Sequence, residues 1–206
     1  MNFSRTNFAV CCAFSLLTVS SSLALDLTPH SGVIQLSEGP PFPVTEFNDG
    51  KYKVKWASPR GWLLNGGPNS VSLSAPDGTG AWMKLVIVKK DAPPDGAAPA
   101  PTPTPSADAS TPQNDLQTKA MQFIPAGAKD VVFVKTVPSP FVLGRLMSTE
   151  FIFAFSRYGS KDSISVSFVE YSDTERLVVL ISAGEKDFDK VRAAAISSLF
   201  SWQAVK

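Results

Sequence analysis

The chain contains very few of the side chains on which most catalytic and metal sites depend. Of its 206 residues, two are cysteine and one is histidine. Both cysteines, Cys11 and Cys12, precede residue 25, so the remainder has no thiol for a disulfide, a nucleophile or a metal. His30 falls in a proline-containing stretch and is interpreted as a solvated loop residue. Cysteine nucleophiles, Ser-His-Asp triads and His-rich metal sites are therefore excluded or nearly so, and we predict no metal and no cofactor.

An excess of charge of either sign is also absent. The chain has 19 Lys plus Arg against 18 Asp plus Glu, a formal net charge of +1. General attraction to nucleic acid or to anionic lipid normally requires a basic excess or a basic stripe, so we predict no nucleic-acid partner. The apolar fraction of 44% is enough for a packed core, which excludes global disorder.

The first 24 residues have the pattern of a secretory signal peptide. Arg5 precedes an apolar run from Phe8 to Val19, and the small residues Ser22 and Ala24 occupy the −3 and −1 positions of a cleavage site. We predict cleavage after Ala24 and an extracytoplasmic location, periplasmic or secreted. The run is shorter than the roughly 20 residues of a membrane-spanning helix, so we expect no stable membrane insertion after cleavage.

Composition divides the rest of the chain into three parts. Residues 25–44 have four prolines and little periodicity, which predicts an extended N-terminal arm. Residues 91–114 contain 7 Pro and 6 Ala and no aromatic residue, which predicts a disordered insertion. The segment before this insertion is too short for an independent core without disulfides. We therefore predict one domain over residues 45–206, interrupted by the insertion.

Most of that domain has the patterns of β-strands. Residues 51–56 alternate strictly between lysine and large apolar side chains, as in a half-buried strand. Later apolar runs have no polar face and are typical of central strands, and the short turns between the last three strands predict an antiparallel meander. The further predicted strands cover residues 71–73, 82–88, 130–137, 147–157, 163–171 and 176–182, and helices are predicted over residues 115–124 and 186–202. The predicted fold class is α+β, an antiparallel sheet of about six to seven strands with packed helices.

The order of these elements resembles the PsbP-like or DcrB-like superfamily over residues 45–205. The resemblance rests on the turn Pro59-Arg60-Gly61-Trp62 and on a closing helix that begins Asp187-Phe188. It implies an α/β/α sandwich and accessory or binding work, since members include photosystem accessory subunits, a Ran-binding factor and bacterial envelope proteins. No functional residue is carried over, because the superfamily has no common active site.

Two groups of residues are candidates for contact with a partner or ligand. Trp62, Leu63 and Leu64 form an apolar group next to glycine-rich turns, which either closes the base of the sandwich or presents an aromatic anchor. Lys51, Lys53 and Lys55 form either a basic patch for an anionic partner or a protective lysine edge.

These features predict an exported, non-catalytic binding or accessory protein that contacts a protein or a small apolar ligand. A hydrolase of an envelope polymer is the alternative, since two converging carboxylates can cleave glycosidic bonds. The acids considered for such a pair are Asp130, Glu150, Glu170, Asp173 and Glu175.

Overall fold

The computed structural model describes two antiparallel sheets and two helices. It describes residues 25–35, 37–50, 52–76, 78–90, 112–138 and 148–205. The predicted signal peptide and residues 91–111 of the predicted insertion lie outside the described residues.

The larger sheet has seven strands and contains the predicted meander. Its spatial order is β4-β5-β6-β10-β9-β8-β7, and every neighbouring pair is antiparallel. Its strands are β4 (Leu63–Gly67), β5 (Ser70–Ser74), β6 (Trp82–Lys89), β7 (Lys129–Pro138), β8 (Ser148–Arg157), β9 (Ser160–Glu170) and β10 (Glu175–Gly184). The direct pairing of β8 with β9 and of β9 with β10 confirms the antiparallel meander.

A second sheet of four strands departs from the predicted single sheet. Its order is β1-β2-β3-β11, with strands β1 (Leu25–Ile34), β2 (Phe42–Asp49), β3 (Tyr52–Trp56) and β11 (Gln203–Val205). Residues 25–44 therefore belong to the fold and are not an arm leading into it. The side chains of Leu25 and Leu27 are 4% and 0% exposed, so burial of apolar area holds this segment against the larger sheet.

The two helices lie on opposite faces of the larger sheet. Helix α1 (Pro112–Met121) begins inside the predicted insertion, whose last three residues are therefore helical. Helix α2 (Phe188–Leu199) is shorter than predicted, and the chain beyond Trp202 forms strand β11 beside β3. One face of the larger sheet packs against α1, and the other packs against α2 and the smaller sheet.

Strand β10 shows why both faces of the sheet must be covered. Leu177 and Val179 pack in the core beneath the smaller sheet, whereas Val178 and Leu180 pack in the core beneath α1. All four are nearly or fully buried. This confirms the prediction of a central strand and the α+β class.

A buried ion pair attaches α2 to the larger sheet. Glu150 on β8 is 0% exposed, and its two carboxylate oxygens accept hydrogen bonds from Arg192 on α2, at 2.7 Å from Nε and 2.5 Å from Nη2. The hydroxyl of Ser165 on β9 donates a third hydrogen bond to the same carboxylate. The hydrogen bond and charge of Glu150 raise the pKa of Arg192 further, against the effect of burial.

The edge strand β7 exposes an apolar segment. Four consecutive residues, Val131, Val132, Phe133 and Val134, are between 37% and 58% exposed. The pairing of β7 with β8 is interrupted by two register shifts, and irregularities of this kind are common on edge strands because they oppose further strand pairing.

Candidate functional site

A tight turn between β3 and β4 positions the predicted aromatic anchor. The backbone N–H of Trp62 donates to the carbonyl of Pro59 at 3.2 Å, and Gly61 has φ of +80°. This is the geometry of a type II turn, in which the third position favours glycine. The turn leads the chain from the smaller sheet to the larger one, and it holds the half-buried Trp62 against the core between them.

A depression of about 590 Å³ lies between this turn and the start of β2. Its walls are mostly apolar, and Phe42 on its rim is 49% exposed. On the neighbouring strand β1, Val33 pairs with Pro43 and is 54% exposed. The residues lining the depression are Phe42, Pro43, Val44, Thr45, Ser58, Pro59, Arg60, Gly61 and Trp62.

Among the described residues, Arg60 is the single charged side chain in this lining. It is exposed at the tip of the turn, and no carboxylate of the described residues lies within ion-pair distance of it. The depression therefore combines apolar walls with one positive charge at its rim.

The three predicted apolar contacts do not form one patch. Trp62 and Leu64 pack against the core beneath the smaller sheet. Leu63 is 72% exposed and faces the opposite side of the larger sheet, because successive residues of a strand alternate between its faces. Trp62 thus lines the depression, whereas Leu63 is an isolated exposed side chain.

The predicted lysine group is held by a carboxylate of the same sheet. Glu46 on β2 lies 3.1 Å from Nζ of Lys53 and 3.4 Å from Nζ of Lys55. Lys55 also donates to the carbonyl of Val33 at 2.8 Å. The hydrogen bond from Lys53, with a smaller contribution from Lys55, holds the pKa of Glu46 below its usual value. Lys51 lies outside the described residues, and the two other lysines share one carboxylate, which offsets one of their two positive charges.

The two best-placed acids for a catalytic pair lie on opposite faces of the larger sheet. Glu150 faces α2 and is closed off by Arg192, as described above. Glu170 faces the side of α1, where Lys90 lies 2.5 Å and Arg176 2.6 Å from its two carboxylate oxygens. Two carboxylates separated by a sheet do not converge on one bond of a substrate.

The other acids and His30 are also far from a common site. Asp130 is on the edge strand β7, Asp173 is in the exposed turn between β9 and β10, and Glu175 begins β10 opposite Lys89. His30 is exposed on β1. Among the described residues, no group of three His, Cys, Asp or Glu side chains is arranged to hold a metal ion.

A second depression of the same volume, about 590 Å³, lies on the larger sheet away from the smaller one. It is lined by small and polar residues around Trp82, and Lys84 is its one charged residue. Ser72 and Ser74 pair with Lys84 and Trp82 on one strand face, so two hydroxyl groups lie beside the indole ring and the lysine. The second depression has the same volume and also combines a tryptophan with one cation, so it provides a control for the first depression.

Phe42 and Arg60 are the lining residues that the sequence did not single out. Phe42 fell in the predicted arm, where no strand was expected. Arg60 was part of the motif that carried the family resemblance, and its position between Pro59 and Gly61 at the tip of a turn was the available signal of exposure.

Within the part of the chain that is described, no helix has the length and apolar character required to cross a bilayer.

Comparison with known proteins does not assign a family. No family model and no curated protein matches the chain, so the resemblance to the PsbP-like superfamily stays a prediction. Among the solved structures that are similar to the chain, two share low sequence identity with it. One is LpqN of Mycobacterium tuberculosis, involved in cell envelope biogenesis, with TM-score 0.45 and 13% identity over 87% of this chain and 92% of that one. The other is PA94 of Pseudomonas aeruginosa, a protein of unknown function, with TM-score 0.36 and 12% identity over 80% of this chain and 90% of that one. Both TM-scores are below 0.5, so neither neighbour assigns a function to this chain.

Proposed function

We propose that this chain is an exported, non-catalytic binding or accessory protein of the cell envelope, and that its contact site is the Trp62 depression. The observation that carries the proposal is that exposed apolar walls of the depression lie beside a tight turn that positions Trp62. Trp62 and Phe42 present ring surface, and aromatic side chains are enriched where proteins bind partners and ligands. The volume of about 590 Å³ also falls in the range of small-molecule sites.

The turn geometry supports binding at a rigid surface. Gly61 adopts a backbone conformation that other residues rarely adopt, and Pro59 restricts the chain just before it. A surface that is ordered before binding loses less conformational entropy when a ligand arrives.

The alternative of a polymer hydrolase has less support from the arrangement of acids. A retaining or inverting glycosidase needs two carboxyl groups on either side of one bond. Glu150 and Glu170 lie on opposite faces of the sheet, and each is held by cationic partners. The proposal of a non-catalytic role rests on this arrangement.

Affinity capture from an envelope extract of the native source tests the proposal. The bait is the chain from residue 25 to residue 206, and retained proteins and lipids are identified by mass spectrometry. Phe42→Ser removes an exposed ring from the rim, and Leu63→Ser is the matched control. Both side chains are exposed, and each is the first residue of a strand.

We expect a specific molecule to be retained by the unmodified chain and by the Leu63→Ser variant but not by the Phe42→Ser variant. Equal retention by all three baits contradicts the assignment of this depression as the contact site. Turnover of an envelope polymer by the purified chain contradicts the non-catalytic role.

A further inference from the structure

We propose that the occupant of the Trp62 depression is a monomeric single-chain amphiphile with an anionic head group, which Arg60 binds. This inference rests on the proposed function and names the ligand class of the same site. It is argued from the charge of the lining, from its shortage of hydrogen-bonding groups and from its size.

The charge of the lining favours a negative group on the ligand. Arg60 is the one charged residue of the lining, and no carboxylate of the described residues pairs with it. The nearest acid along β2, Glu46, is committed to Lys53 and Lys55. A guanidinium presents a planar fork of donors that fits a carboxylate or a phosphate in two parallel hydrogen bonds.

The rest of the lining requires a ligand with few polar groups. Apart from Arg60, the polar side-chain groups of the described lining are the hydroxyls of Thr45 and Ser58 and the indole N–H of Trp62. An acidic peptide would bring backbone N–H and C=O groups into this surface, and buried groups without partners are costly. An acyl chain brings none, and it covers the exposed surface of Phe42 at the rim of the depression.

The size and the overall charge favour a single molecule over a membrane surface. The depression is concave and holds about 590 Å³, as sites for small ligands do. Adsorption to an anionic bilayer needs a cluster of several cations, and this lining has one. The chain from residue 25 onward has 18 basic and 18 acidic groups, since Arg5 is the only charged residue before it.

A calorimetric titration below the critical micelle concentration tests the inference. The two probes are dodecanoate and dodecanol, which share an alkyl chain and differ in the charge of the head group. The titrated proteins are the unmodified chain, the variants Arg60→Gln and Arg60→Lys, and the control Lys84→Gln. Lys84 is the single charge of the second depression, which has the same volume.

We expect the unmodified chain to bind dodecanoate about fivefold to tenfold more tightly than dodecanol, an advantage that added salt reduces. Arg60→Gln removes this advantage, Arg60→Lys keeps part of it, and Lys84→Gln leaves it unchanged. Phe42→Ser weakens the binding of both probes. Circular dichroism of every variant establishes that these differences do not come from unfolding.

Three outcomes overturn the inference, and two of them leave the proposed function standing. If both probes bind equally and Arg60→Gln changes neither affinity, the site is apolar but does not select an anion. If anionic vesicles bind and monomers do not, the occupant is a membrane surface. If neither probe nor vesicle binds, the assignment of an amphiphile as the ligand is wrong, and the capture experiment with Phe42→Ser tests the proposed function by itself.

Discussion

The buried ion pair between Glu150 and Arg192 makes the sharpest prediction about stability. The carboxylate has no solvent contact, and both of its oxygens depend on the guanidinium for their charge-assisted hydrogen bonds. Arg192→Met removes the charge and keeps most of the side-chain length. It therefore leaves a negative charge inside the protein with the Ser165 hydroxyl as its remaining partner.

Removing one partner of a buried ion pair typically costs 3–5 kcal/mol. Because the Arg192 side chain is 20% exposed, water reaches part of the site, and we expect the lower end of that range, about 3 kcal/mol. For a protein of this size that corresponds to a decrease of about 6–12 °C in Tm. Urea denaturation followed by circular dichroism measures the free energy of unfolding directly.

The double variant Glu150→Leu with Arg192→Met separates an unpaired charge from lost packing. Replacing both members of a buried pair by apolar residues is often close to neutral, so we expect stability within about 2 kcal/mol of the unmodified chain. Most of that loss comes from the Ser165 hydroxyl, which then has no carboxylate to bind. The control Lys53→Met breaks an exposed pair, in which the lysine side chain is 61% exposed, and costs less than about 1 kcal/mol. A loss of stability below about 1 kcal/mol for Arg192→Met refutes this reasoning. The reasoning is also refuted if the double variant loses as much stability as Glu150→Leu and Arg192→Met lose together.

Three further measurements test the turn, the edge strand and the surface ion pairs. Gly61→Ala puts a side chain at a φ of +80° and therefore strains the Trp62 turn. We expect the free energy of unfolding, measured by urea denaturation, to fall by about 1 kcal/mol, and ligand binding to weaken. Val132→Lys on the exposed edge is expected to raise the concentration at which the chain aggregates on light scattering and to leave Tm within about 2 °C. The pKa of Glu46 is lowered mainly by its lysine hydrogen bond, and that of Glu170 is lowered because its cationic partners outweigh the opposing effect of burial. A lowered folded pKa stabilises the folded state above the unfolded pKa of about 4.3, so Tm is expected to stay level from pH 7 to pH 5 and to fall below about pH 4.

The larger sheet was predictable because its signals are local. Strands β8 and β10 contain long apolar runs, and β9 alternates serine with apolar residues. Short turns join the three strands, so neighbours in sequence are neighbours in the sheet. The amphipathic closing helix α2 was predictable for the same reason, since its buried residues recur at helical spacing within 12 residues.

The smaller sheet was not predictable, because its pairing is not local and prolines conceal its pattern. Strand β11 pairs with β3 from the other end of the chain, and its three residues have no periodicity of their own. In β1 the buried Leu25 and Leu27 precede Pro29, and proline normally argues against a strand unless it lies at a sheet edge. Strand β1 is such an edge, so the proline is tolerated there.

The sequence predicted the aromatic residue of the candidate site, but it did not predict which charged residue lies beside it. Trp62 followed from a turn motif that can be read in the sequence, but a chain with balanced charges gives no indication of which cation lacks an acid. The fold shows which cations are paired, since Glu46 takes two lysines and Glu150 takes Arg192. Arg60 has no acidic partner among the described residues, as is also true of Lys84, and its position beside the Trp62 turn is what distinguishes it. A net charge close to zero therefore argues only against long-range attraction, and it is compatible with one positive charge beside apolar walls. An anionic head group on an apolar chain is the ligand chemistry that uses both features.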